Sequence, residues 1–285
     1  DLNGNNQMVA GLNGSGTLTN TSGTSAEIRF GAGSAGTFSG VIADNGSGNV
    51  TVYKTGSGYQ TLTGNNAFSG GTTMNGGSLY LGSDGALGSG PISLSFTADI
   101  ASDSSTPHTF ANDLNFSGSS SKNIGDAVNN GVLTFSGTVG FGGGSRNVSF
   151  NSDIIFSGTV GSGALVKEGA GKLTMDAVNT CTATTINGGV LAGSGSFSGP
   201  VAVNGATLSP GTGIGTLTIN NNLSLAGTST TVMELSAAGN TNDMVTGLTG
   251  LTYNGTLTVT NLAGTLASGQ SFQLFSSSAV PSGNF

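Results

Sequence analysis

The chain has no tryptophan, one cysteine, one histidine and only six basic residues among its 285. Each scarcity excludes something. Cys181 alone cannot form an intramolecular disulfide. His108, the single histidine, and one distant thiol cannot assemble a zinc site of the usual kind. The basic residues are scattered singly, with no run to track a phosphate backbone, so nucleic acid is not an expected partner. No 18-residue apolar span could form a membrane-crossing helix, and Asp1 opens without a signal-peptide pattern. We therefore expect a mature or excised part of a longer protein. No segment keeps a 3.6-residue apolar period between caps, which predicts almost no helix.

Charged residues make up 7% of the chain, against roughly 25% in ordinary globular domains. Thirteen acids against six bases leave a net charge of −7, enough for a soluble surface but not for an ionic partner. Glycine, by contrast, supplies 52 residues, and hydrophobic residues still reach 35%, including 14 Phe. A disordered polar segment would have little to bury; this one should fold. Between glycine-rich breaks the apolar residues alternate, as in Val50-Thr51-Val52, Leu79-Tyr80-Leu81 and Ile92-Ser93-Leu94-Ser95-Phe96. Leu217-Thr218-Ile219, Thr231 to Leu235, Leu257-Thr258-Val259 and Phe272-Gln273-Leu274 continue the pattern. Period two is strand, with one face inward. Asn-Gly pairs beginning at Asn3, Asn13, Asn45, Asn75, Asn130, Asn187, Asn204 and Asn254 supply positive φ for turns.

The chain repeats itself. Lys54 to Leu81, KTGSGYQTLTGNNAFSGGTTMNGGSLYL, aligns with Lys167 to Gly193, KEGAGKLTMDAVNTCTATTINGGVLAG. Lys54 falls on Lys167, Gly56 on Gly169, and Asn75-Gly76-Gly77 on Asn187-Gly188-Gly189. Cys181 takes the place of Phe68, which predicts a buried structural thiol. Phe-Ser-Gly recurs from Phe38, Phe68, Phe116, Phe135, Phe156 and Phe197. These spacings predict a unit of ~20 residues, stacked in parallel as a β-solenoid through residues 1–285. Roughly 14 coils would make a rod on the order of 65 Å long. A sandwich or barrel accommodates such a displacement poorly. Residues 97–130 depart most from the pattern.

The segments GSGYQTLTGNNAFSGGTTMNGGSLYL and GSDGALGSGPISL resemble the autotransporter-associated β-strand repeat, or passenger-associated transport repeat. Gly205 to Leu225, with TNDMV at 241–245, resembles the segment that often follows such repeats in large bacterial surface proteins. The resemblance implies an all-β, right-handed parallel β-helix, secreted by a Gram-negative bacterium and forming the stalk of a passenger. It also implies an outer-membrane anchor beyond these residues.

Parallel β-helices also host polysaccharide-acting enzymes, which need paired carboxylates or an acidic calcium cluster. Here the acids stand apart. Asp99 and Asp103 with His108 beyond, or Asp44 with Asp84 and Asp153 with Asp176 across coils, are the pairs to check. Solvated turn acids are the ordinary reading, and no catalytic, cofactor-binding or metal-binding residue is assigned. Gly31 to Gly36 fits G-x-G-x-x-G but leads into another turn rather than a helix. Thr-Leu-Thr at Thr17, Thr216 and Thr256 is too sparse for an ice-binding array. Four Tyr and no Trp give little for sugars to stack on. Two roles are carried forward: a non-catalytic adhesive or structural stalk, with host or surface ligands as partners, and a subunit that stacks on copies of itself into filaments or a surface layer.

Overall fold

The computed structural model describes residues 1–31, 33 and 35–285. Among them there is no helix, and nearly every ladder is parallel. The strands collect into three long sheets, which form three faces of a β-solenoid. The first face has 13 strands, from Gln7–Val9 to Phe275–Ser277. The second has 12 strands, and the third has nine, starting at His108–Phe110. Before that point the third side is made by the pair Thr17–Asn20 and Val41–Asp44, then by turns.

Register gives the coil length directly. Thr72 pairs with Ile92, Ile92 with Leu114, Leu114 with Val139, Val139 with Val160, and Val160 with Asn179. The steps are therefore 20, 22, 25, 21 and 19 residues, close to the expected unit. Thirteen levels at a spacing of about 4.8 Å make a rod on the order of 60 Å. The segment 97–130, irregular in sequence, folds as ordinary coils: Ala98–Ser102, His108–Phe110, Leu114–Phe116 and Lys122–Ile124 all join the sheets.

Parallel register stacks like on like. On the third face Phe110, Phe135 and Phe156 follow one another inward, with ring centroids 5.7 and 6.1 Å apart. Beside them run Leu133, Ile154, Leu173, Leu191 and Leu208. All are buried, so the core is a continuous column without a centre. Two expectations fail at corners. Phe96 was in phase to point inward, but its strand stops at Leu94 and the ring lies 60% exposed on the turn. Phe272-Gln273-Leu274 is irregular, and the strand comes just after it, at Phe275–Ser277. In both places the turn, not the alternation, sets where pairing ends.

Candidate functional site

Three of the six cations are inside. Lys54, Lys122 and Lys167 are at most 1% exposed, which is unusual for lysine unless its ammonium has partners. Here the partners are backbone carbonyls at corners. Lys54 Nζ donates to Thr55 O (2.8 Å), and to Gly56 O and Gly76 O (3.5 Å each). Lys167 Nζ donates to Gly169 O (3.3 Å) and Gly188 O (2.7 Å), and lies 5.7 Å from the Phe150 ring centroid. Gly56 and Gly169 are equivalent positions of the repeat, as are Gly76 and Gly188, so both lysines reach the same two corner carbonyls, and the bond to Thr55 O is particular to Lys54. Lys122 donates to Ser120 O at 2.6 Å. Burial lowers the pKa of all three, that of Lys167 to about 8.

The glycines of the repeat follow from this arrangement. Gly77 and Gly189 have φ of +67° and +64°, and a Cβ on either would lie 2.5–2.7 Å from the lysine Nζ. On Gly189 it would also overlap the Gly171 carbonyl oxygen. A Gly189→Ala change is expected to cost at least about 1–2 kcal/mol from the backbone alone, seen as a lower urea midpoint. The same change at Gly16, whose Cβ would meet nothing within 4 Å, should be nearly silent.

The candidate acids do not meet. Asp44 accepts from Val50 N and Ser69 N, while Asp84 accepts from Thr109 N and contacts His108 Nδ1 at 3.1 Å. Asp153 accepts from Lys172 N and Asp176 from Ser194 N; these two acids sit at opposite ends of the third-face strands. Asp113 accepts from Thr138 N. Each carboxylate thus staples its own coil to an amide of the next, a more definite role than that of a solvated turn acid. His108 pairs with Asp84 rather than Asp99 or Asp103, and faces inward with Nε2 buried and unpartnered. Hydrogen bonds from Thr109 N and then from His108 hold the Asp84 carboxyl below its ordinary pKa. Asp243, fully buried, accepts from Gly215 N (2.8 Å) and Glu234 N (2.7 Å) and is pushed up by desolvation.

Cys181 is buried, and desolvation raises its thiol to about 12, so it is an inert core residue in the place of Phe68. Within the G-x-G-x-x-G stretch, Ala32 and Ser34 lie outside the described residues. The Thr-Leu-Thr triplets at Thr216 and Thr256 fall on the first and third faces, and so form no common array. Among the described residues no group of three metal-ligating side chains converges.

The family model for the passenger-associated transport repeat matches residues 52–81 and 165–192, which contain the two lysine corners. The chain carries two passenger-associated transport repeats. The two repeats cover about a fifth of it, and the rest continues the same three faces. No curated protein and no solved structure matches the chain. The first repeat runs over Val50–Lys54 on the first face, Tyr59–Leu62 on the second, Thr72–Met74 on the first and Gly77–Leu81 on the second. The second repeat runs over Ala164–Glu168, Lys172–Met175, Ala183–Ile186 and Val190–Gly193, alternating between second and third faces. The repeat is therefore a corner with its buried lysine, and it is not tied to one face of the solenoid.

Proposed function

We infer that the chain is a rigid extracellular spacer with an adhesive surface, the stalk part of an autotransporter passenger on a Gram-negative bacterium. The observation that supports this is the combination of transport repeats with one unbroken parallel ladder from Gln7 to Ser277. Such a ladder resists bending because every level is hydrogen-bonded to the next. The acids paired across coils from the sequence, Asp44 with Asp84 and Asp153 with Asp176, are each engaged with separate backbone amides, which favours a structural over a catalytic role for them.

Self-assembly is the second reading. Thr256–Asn261 pairs only with Thr230–Ser236 among the described residues, and residues 244–285 carry no charge to blunt an edge. Negative-stain electron microscopy across a concentration series separates the two. Single rods of roughly 60 Å at every concentration are expected for the stalk. Long filaments with a regular axial repeat would replace it with the self-assembling subunit.

A further inference from the structure

The wall of the solenoid is smooth where outward residues of successive coils stack in register. Among the longer steps, 28 residues from Thr216 to Met244 and 30 from Val245 to Phe275 lie towards the C-terminal end. One of 25, from Leu114 to Val139, interrupts the middle of the rod at a corner between the second and third faces. The extra chain is a loop between Lys122–Ile124 and Leu133–Phe135. Asp126 braces it, Oδ1 accepting from Val128 N and Asn129 N at 2.8 Å each, and the Val128 side chain projects 85% exposed. The loop overhangs two hollows. One, of about 90 Å³, is lined by Tyr80, Asp99, Asn123, Asp126 and Asn151. The other, of about 350 Å³, is lined by Asn130, Asn151, Ser152 and Asp153 among others. Asn151 lines both, so the two hollows adjoin beside the loop and together make a stepped groove on either side of that residue.

The groove is built rather than accidental. Asp99 is fixed by Ser78 Oγ (3.2 Å) and Asn123 Nδ2 (2.6 Å). Tyr80 packs edge-on against Tyr59 at 5.7 Å, which sets its ring at the groove wall. Burial first, then the charges of Asp126 and Asp99, raise the Tyr80 pKa, so the hydroxyl stays a donor at neutral pH. Ser152, 5% exposed, lines the wider hollow with a buried hydroxyl that has no protein partner. An aromatic edge with carboxylates and carboxamides side by side matches the C–H face and vicinal hydroxyls of a sugar. Two of the four tyrosines, sparse in sequence, thus come together where amides converge. Charge narrows the class: Asp99, Asp126 and Asp153 line the groove, and the nearby cation, Lys172, is held by Asp153 at 3.4 Å. Acidic sugars would be repelled.

We propose that this groove binds a neutral oligosaccharide. The proposal gives a ligand class to the adhesive part of the function above. The rod itself is tested by microscopy, so either can fail without the other. The test is to apply the whole chain to a printed panel of neutral, sialylated and sulfated oligosaccharides, then to titrate the best neutral hit by calorimetry. Retention of neutral glycans is expected, unchanged by EDTA. Tyr80→Ala and Asn151→Ala should each weaken binding about tenfold or more, while Phe96→Ala, at an exposed corner elsewhere, leaves it unchanged. Circular dichroism checks that each variant is folded, and Asn151→Ala carries the test if Tyr80→Ala is not. Three results would overturn the proposal: no neutral glycan retained, preference for sulfated or sialylated glycans, or indifference to both groove variants. Loss of binding in EDTA would also overturn it, pointing to a divalent cation at the aspartates instead.

Discussion

Replacing Phe135 by Ala is expected to cost about 3–5 kcal/mol of stability. Phe135 is fully buried, in register between Phe110 and Phe156, and touches both rings. Removing it opens a cavity bounded by two coils held by continuous ladders, so the walls have little freedom to collapse inward. The loss should be local, because each coil contacts only its neighbours. Amide exchange is the measurement. Strands His108–Phe110 and Ile154–Phe156 should exchange much faster, while Val50–Lys54 and Thr216–Ile219 keep their protection. Uniform acceleration along the rod would show that the whole solenoid opens as one unit, contrary to its nearest-neighbour construction.

Stability should rise from pH 8 to pH 9, then level off, then fall above about 10.5. The signs follow from proton linkage. Lys167 has a folded pKa of about 8 against an ordinary 10.5. Below pH 8 it is charged in both states and the folded state bears the whole desolvation cost. Between 8 and 10.5 the folded state releases its proton first, so stability increases with pH. At the limit this amounts to about 3 kcal/mol. Burial lowers Lys54 and Lys122 in the same direction. Cys181 opposes this, since its thiol ionises near 9.0 when unfolded but near 12 when folded. Stability is therefore lost as pH climbs from 9 towards 12. Urea midpoints measured within minutes at each pH would show the profile. Lys167→Met should remove much of the rise, and Cys181→Ala should extend it beyond pH 9. A flat profile in the parent chain would mean that the lysines are hydrated, contrary to their burial.

Much of the fold was legible in sequence because parallel stacking writes itself as recurrence. Phe110, Phe135 and Phe156 each lead a strand end, and two of them carry the Phe-Ser-Gly mark at coil spacing. The replacement of Phe68 by Cys181 was enough to place the thiol in the core. The alternation failed at Phe96 and at Phe272 to Leu274, because a solenoid corner ends pairing at a place that hydrophobicity does not mark. The lysine corners were visible as Lys-x-Gly-x-Gly followed by Asn-Gly-Gly in both copies. What could not be read was that Lys54 and Lys167 point inward, since a charged residue in an alternating strand is ordinarily assigned outside. The groove was hidden for another reason. Tyr80, Asp99, Asn123 and Asn151 are separated by whole coils, and only the register of the folded chain brings them together.

The two transport repeats lie on different faces, and this has a directional consequence. Between Lys54 and Lys167 the chain completes whole coils and then one further side of the three-sided section. Equivalent outward residues of the two repeats therefore look out from different faces of the rod. An antibody or receptor that recognised one repeat would find its second copy around the side of the rod, beyond the reach of a flat bivalent contact. A solenoid built this way shows no single repeated stripe to a surface lying alongside it, although its sequence repeats.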